Sequence, residues 1–161
     1  MNVTIYSDGS SKGNPGPGGY GTILHYIDGK GKLHELTLSE GFRLTTNNRM
    51  ELMGTIKGLE ALTKPCKVTV ISDSKYLTDA FNLHWIEGWA KKNWKRKQNE
   101  DVLNKDLWLR LLKAMEDHVV SFEWIKGHNG HDENERCDKM AVNSAESDNL
   151  LIDEGYEDKE R

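Results

Sequence analysis

Four acids, Asp8, Glu51, Asp73 and Asp138, stand where the hydrophobic patterning of this 161-residue chain ends or turns. Asp8 closes the alternating, β-branched run "NVTIYSD" (2–8), and Asp73 closes "KVTVISD" (67–73). If a helical crossover joins two strands running in one direction, both carboxylates emerge at the same sheet end, where α/β folds place ligands. Glu51 falls in the first turn of a helix expected over 48–63. Asp138 falls in a helix expected over 133–145, beside the apolar positions Cys137 and Ala141. Helices packed over that sheet end can point both acids inward. Such a cluster repels itself at neutral pH unless cations neutralise it. Hard divalent cations with oxygen ligands suit it, Mg²⁺ above all, and the chemistry they favour is two-metal phosphoryl transfer. Each acid also has a structural reading: Asn48-x-x-Glu51 fits a capping box, Asp73 a helix cap, Asp138 a solvated helix position and Asp8 a turn.

Two histidines lie in "KGHNGHDENERCD". A zinc site through His128, His131 and Cys137 lacks a second cysteine pair and would need Cys66 from afar. A proton-handling His128 on a glycine-flanked loop is the better expectation. The segment "SDGSSKGNPGPGGYG" (7–21) holds six of the fifteen glycines and two of the three prolines. It lacks the GK[ST] ending of a phosphate-binding P-loop and leads into a strand, so it is expected to be a close-approach loop beside Asp8. "HWIEGWAKKNWKRKQ" (84–98) sets Lys91, Lys92, Lys95, Arg96 and Lys97 against the single acid Glu87, interleaved with Trp85, Trp89 and Trp94. Phosphate neutralisation with aromatic platforms is one reading; an amphipathic helix with core tryptophans and solvated lysines is the other.

The elements that must position these groups follow from periodicity. Strands are expected over 2–8, 19–27 and 33–42, with "DGKGK" as a hairpin turn. Leu52, Ile56, Leu59 and Leu62 recur at helical spacing, with Pro65 beyond the end. Then come a strand at 67–73, a helix capped by Ser74, the Trp/Lys segment, a helix over 106–118, a strand over 119–125 and the last helix. The order is βββαβααβα in one domain, 1–146. The acidic stretch 147–161 is expected to be a solvated, partly mobile tail. Net charge is −4, which gives no overall bias toward polyanions, so the basic segment is a local exception. Two cysteines suit free thiols. No run approaches the roughly 20 apolar residues of a membrane helix, and a cytoplasmic protein without membrane association is expected.

"SDGSSKGNPGPGGYG", "TTNNRMELM", "SDSKY" and "WIKGHNGHDENERCD", in order over about residues 2–145, closely resemble bacterial type 1 ribonuclease H. The resemblance implies an α/β, ribonuclease H-like fold: a five-stranded mixed sheet of order 3-2-1-4-5 with helices on both faces. It implies an endonuclease that cuts the RNA strand of RNA–DNA hybrids, leaving 5′-phosphate and 3′-hydroxyl ends, and acts as a monomer. Asp8, Glu51, Asp73 and Asp138 match the family's ligands for two Mg²⁺ ions, with Mn²⁺ a substitute, and His128 matches its proton-handling histidine. Gly9, Ser11, Asn14, Asn47 and Asn48 match substrate contacts in the minor groove, where 2′-hydroxyls are displayed, and Thr46 matches a residue that grips a DNA phosphate. Trp85, Trp89, Lys91 and Lys92 match its basic protrusion. The chain departs at Leu44, where a phosphate-gripping Arg is usual and Arg43 stands beside it, and at Lys75, where Gln is common. A hybrid-binding module that does not cleave is the alternative.

Overall fold

The computed structural model describes residues 1–127 and 130–160. Its sheet has five strands: β1 (Asn2–Ser11), β2 (Gly16–Ile27), β3 (Leu33–Thr45), β4 (Lys67–Ser72) and β5 (Val119–Trp124). Their order is β3-β2-β1-β4-β5, as expected from the resemblance. The first three form an antiparallel meander, while β4 runs parallel to β1 and β5 parallel to β4. The helices are α1 (Asn47–Glu60), α2 (Lys75–Asn82), α3 (Trp85–Lys91), α4 (Lys105–Met115), α5 (Asp132–Ala145) and α6 (Glu154–Glu160).

Helix α1 makes the crossover that turns β4 parallel to β1. It is buried on nearly every side, with Leu52, Ile56 and Leu59 in the core. Glycines let the layers approach. A Cβ on Gly54 would meet Ser7 Oγ, and one on Gly58 would sit 3.0 Å from Ile5. On the opposite face of the sheet, a Cβ on Gly19 would lie 2.6 Å from the Ala141 carbonyl of α5. The glycine-rich segment is therefore mostly strand. β1 continues to Ser11 and β2 begins at Gly16, so only Lys12–Pro15 connects them. The expected loop beside Asp8 is corrected accordingly, because pairing of Ser10 with Gly19 and Ser11 with Gly18 carries the ladder through it.

The stretch after residue 146 is not a solvated tail. Leu151 pairs with β3, its N–H donating to the Gly41 carbonyl (2.8 Å) and its carbonyl accepting from the Arg43 N–H (2.9 Å). Asp153 is buried and accepts from Thr45 Oγ1 (2.6 Å) and from Arg49 Nε (2.7 Å). Arg49, itself buried, also pairs with Asp106 at 2.7 Å. Two carboxylates thereby offset the cost of taking one guanidinium out of water. Two acids of this segment, Asp153 and Glu157, have basic partners in the body of the protein, Arg49 and Arg43, and these pairs help to dock it.

Candidate active site

β1 and β4 keep parallel register up to Tyr6 opposite Ile71. Two residues further along stand Asp8, still on β1, and Asp73, just past the end of β4, at the same sheet end. Glu51 reaches them from α1, in its second turn, because the helix starts at Asn47 and its N-cap is Thr46, whose Oγ1 accepts from the Arg49 N–H (3.2 Å). The capping-box alternative for Asn48 and Glu51 is thus replaced. Asp8, Glu51 and Asp73 each offer one carboxylate oxygen within 4.8 Å of the others. Among the described residues they are the only such group of His, Cys, Asp and Glu side chains.

The electrostatics follow from burial and like charge. Asp8 is 5% exposed, and burial, then the Asp73 charge, push its carboxyl from 3.8 up to about 8. Burial and the charges of Asp8 and Asp73 drive Glu51 well above its ordinary value. Glu51 Oε2 is buried without a hydrogen-bond partner. The Gly9 N–H donates to Asp8 Oδ1 at 3.0 Å and orients it. An orphaned buried oxygen amid three convergent carboxylates fits hard divalent cations, which take oxygen ligands and lift the repulsion. Asp138, on α5, sits against the Asp8 carboxyl and raises its pKa further, without joining the tight group of three. His128 lies outside the described residues.

Two supports for Asp73 escaped the sequence reading. Trp124 Nε1–H donates to the Asp73 carbonyl at 3.0 Å, and a Cβ on Gly127 would lie 2.6 Å from Asp73 Oδ2. Parallel pairing of β5 with β4 sets Trp124 opposite Ser72, one residue before Asp73. Cys137, the cysteine of the zinc alternative, is buried, its thiol pushed up to about 12 chiefly by burial. Both cysteines are free.

The expected substrate contacts form a neighbourhood at the start of α1. Asn14 Oδ1 accepts from the Asn47 N–H (3.1 Å), joining the β1–β2 connection to Thr46, Asn47 and Asn48. Asn14, Asn47 and Asn48 are exposed, while Ser11 is half-buried on β1 and Gly9 is buried beneath α1. A Cβ on Gly9 would lie 2.4 Å from the Glu51 backbone N, so this glycine makes room for the helix that carries Glu51. On α3 Lys91 is exposed and Trp85 is 39% exposed, and Lys92, just past the helix end, is exposed as well. Trp89 is half-buried against Trp94 and Trp108 and so belongs largely to the core. Arg43 is engaged by Glu157 of α6 through Nε (3.0 Å) and NH2 (2.9 Å).

A cavity of about 700 Å³ lies between α1, α4 and the C-terminal segment, and its lining includes none of the clustered acids. The family model for RNase H matches residues 1–146. The chain belongs to the ribonuclease H family. It is 60% identical over 154 residues to a ribonuclease H of Lachnoclostridium phytofermentans, covering 95% of this chain and 98% of that protein. It is 52% identical to a ribonuclease H of Rippkaea orientalis, covering 98% and 93%. Among solved ribonuclease H structures, LC9-RNase H1, a type 1 RNase H with the type 2 active-site motif, matches at TM-score 0.83 and 32% identity, covering 98% of this chain and 80% of that one. LC11-RNase H1, solved in complex with an RNA/DNA hybrid, matches at TM-score 0.61 and 26% identity, covering 89% and 96%.

Proposed function

We propose that this protein is a Mg²⁺-dependent endonuclease that hydrolyses the RNA strand of RNA–DNA hybrids, leaving 5′-phosphate and 3′-hydroxyl ends. The observation that carries the reading is the convergence of Asp8, Glu51 and Asp73 at one sheet end of a ribonuclease H chain. A family relative solved with an RNA/DNA hybrid supports the substrate.

Asp8, Glu51 and Asp73, with Asp138 at the rim, would hold two Mg²⁺ ions, and Mn²⁺ would substitute. Bound divalent ions supply Lewis acidity for phosphoryl transfer and lower the pKa of an attacking water. The protein's own part is to hold the carboxylates in place. The Gly9 N–H orients Asp8, the Trp124 indole ties the Asp73 backbone, and α1 delivers Glu51 with one oxygen unengaged. Bound cations would favour the charged carboxylates of Asp8 and Glu51, which burial and mutual repulsion otherwise push toward the protonated form. His128 handles a proton of the reaction.

Hybrid selectivity comes from two surfaces. Ser11, Asn14, Asn47 and Asn48 face the minor groove and its 2′-hydroxyls, while the buried Gly9 makes room for α1, and Thr46 meets a phosphate of the DNA strand. Trp85, Lys91 and Lys92 meet phosphates of the DNA strand, with Trp89 supporting them from the core side. The protein works as a cytoplasmic monomer; among the described residues no helix is long and apolar enough to cross a membrane. The test is a substrate panel with Mg²⁺: labelled hybrid, RNA duplex, DNA duplex and single strands. Cleavage confined to RNA in the hybrid is expected. Binding of hybrid with no cleavage in Mg²⁺ or Mn²⁺ would replace the enzyme by a binding module.

A further inference from the structure

The turn that carries Asp73 is tied at every residue. The Ile125 N–H donates to the Ser72 carbonyl (3.0 Å), the Ser74 N–H to Ser72 Oγ (3.0 Å), and the Leu77 N–H to Ser74 Oγ (3.2 Å). Trp124 adds the indole bond to the Asp73 carbonyl while remaining 43% exposed. Over its ring, 4.8 Å from the centroid, lies the Lys75 ammonium. Lys75 is exposed and makes no ion pair among the described residues. As the first residue of α2 it puts a positive charge at the positive end of a helix, the unfavourable end. Helix stability therefore does not account for it. A cation held by an aromatic face beside the acids that handle a phosphodiester has a direct use.

Resting on the hybrid-cleaving reading, we propose that Trp124 is a positioning residue with two jobs: its N–H fixes the Asp73 turn, and its ring parks Lys75 where the ammonium contacts a backbone phosphate of the RNA strand. The ring restricts a long side chain to one place, so less of its freedom is lost when phosphate arrives.

The experiment titrates labelled RNA–DNA hybrid onto the full chain in EDTA at several salt concentrations, with thermal melts as a folding control. Lys75→Met is expected to weaken binding about three- to tenfold and to flatten the log–log salt slope by about 0.7–0.9, the signature of one lost phosphate contact. Trp124→Leu should reproduce that loss, and the double variant should be little weaker than either single one. Trp124→Phe keeps a ring and should keep the slope. Lacking the N–H, it should need several-fold more Mg²⁺ for half-maximal cleavage. Unchanged affinity and slope in Lys75→Met overturns the proposal, as do losses that multiply in the double variant. Should Trp124→Leu fail to fold, the Lys75→Met and Trp124→Phe results decide. Wild type that neither binds nor cuts hybrid takes down the functional reading as well. Wild type that binds and cuts, beside an unaffected Lys75→Met, takes down only this inference.

Discussion

At Asp8 a carboxyl group is held at about 8 by burial and by Asp73 beside it, against an ordinary 3.8. Without cations the folded protein keeps a proton there that the unfolded chain has lost. The stability this contributes is fully present below about pH 4 and gone once pH has risen through about 8. Glu51 shifts in the same direction. Thermal melts in EDTA should therefore give a midpoint that falls between about pH 5 and 9, with saturating Mg²⁺ shrinking the fall. A midpoint that rises with pH in EDTA would contradict the site's electrostatics. Asp8→Asn removes the titrating charge. It should flatten the profile and raise the midpoint at pH 8 by a few degrees, while cutting cleavage at least about 100-fold. The pairing of Asp8 with Asp73 was legible in sequence, since both end β-patterned runs. The supports from Gly127 and the Trp124 indole were not, because a hydrogen bond from residue 124 to residue 73 leaves no mark on local periodicity.

Among the elements, α1 decides whether Glu51 reaches the cluster, and two features hold it. One is the missing Cβ of Gly9. Gly9→Ala would drive a methyl group into the Glu51 backbone and should cost about 1–3 kcal/mol, with a larger fractional loss of cleavage than of folded protein. Denaturant titration and kcat on the same samples check this. The other is the anchoring of Arg49 by Asp106 and Asp153. Asp153→Ala leaves a buried guanidinium short of one partner and should cost about 3–5 kcal/mol in urea unfolding. The five strands and the helix carrying Leu52, Ile56 and Leu59 were legible because their periods are regular. The docking of residues 147–160 was not. Acidic composition alone suggests solvation, whereas the partner of Asp153 lies 104 residues earlier in the chain. The glycine segment misled for a related reason. A missing Cβ announces close approach, but sequence does not say whether a helix or a substrate approaches.

For the whole molecule, a net charge of −4 coexists with exposed Lys91 and Lys92 at the end of α3, so polyanion binding depends on where charge sits. Replacing both lysines by Gln should weaken hybrid binding at every sequence tested and flatten the salt slope by about 1.4–1.8, as two phosphate contacts require. An unaltered slope would return α3 to the role of a solvated helix covering the core with Trp89. The proposed reading lays a hybrid across the acid cluster and the exposed Asn47 and Asn48 at the start of α1. Its central claim is that the acids at the end of β1 and β4 cut RNA paired with DNA. The most direct test incubates labelled hybrid with wild type and with Asp73→Asn, each in Mg²⁺ and in EDTA, and resolves the fragments by length. Internal RNA cuts by wild type in Mg²⁺ alone, reduced at least about 100-fold in Asp73→Asn, are predicted. Equal cutting by the variant, or cutting that persists in EDTA, would contradict it.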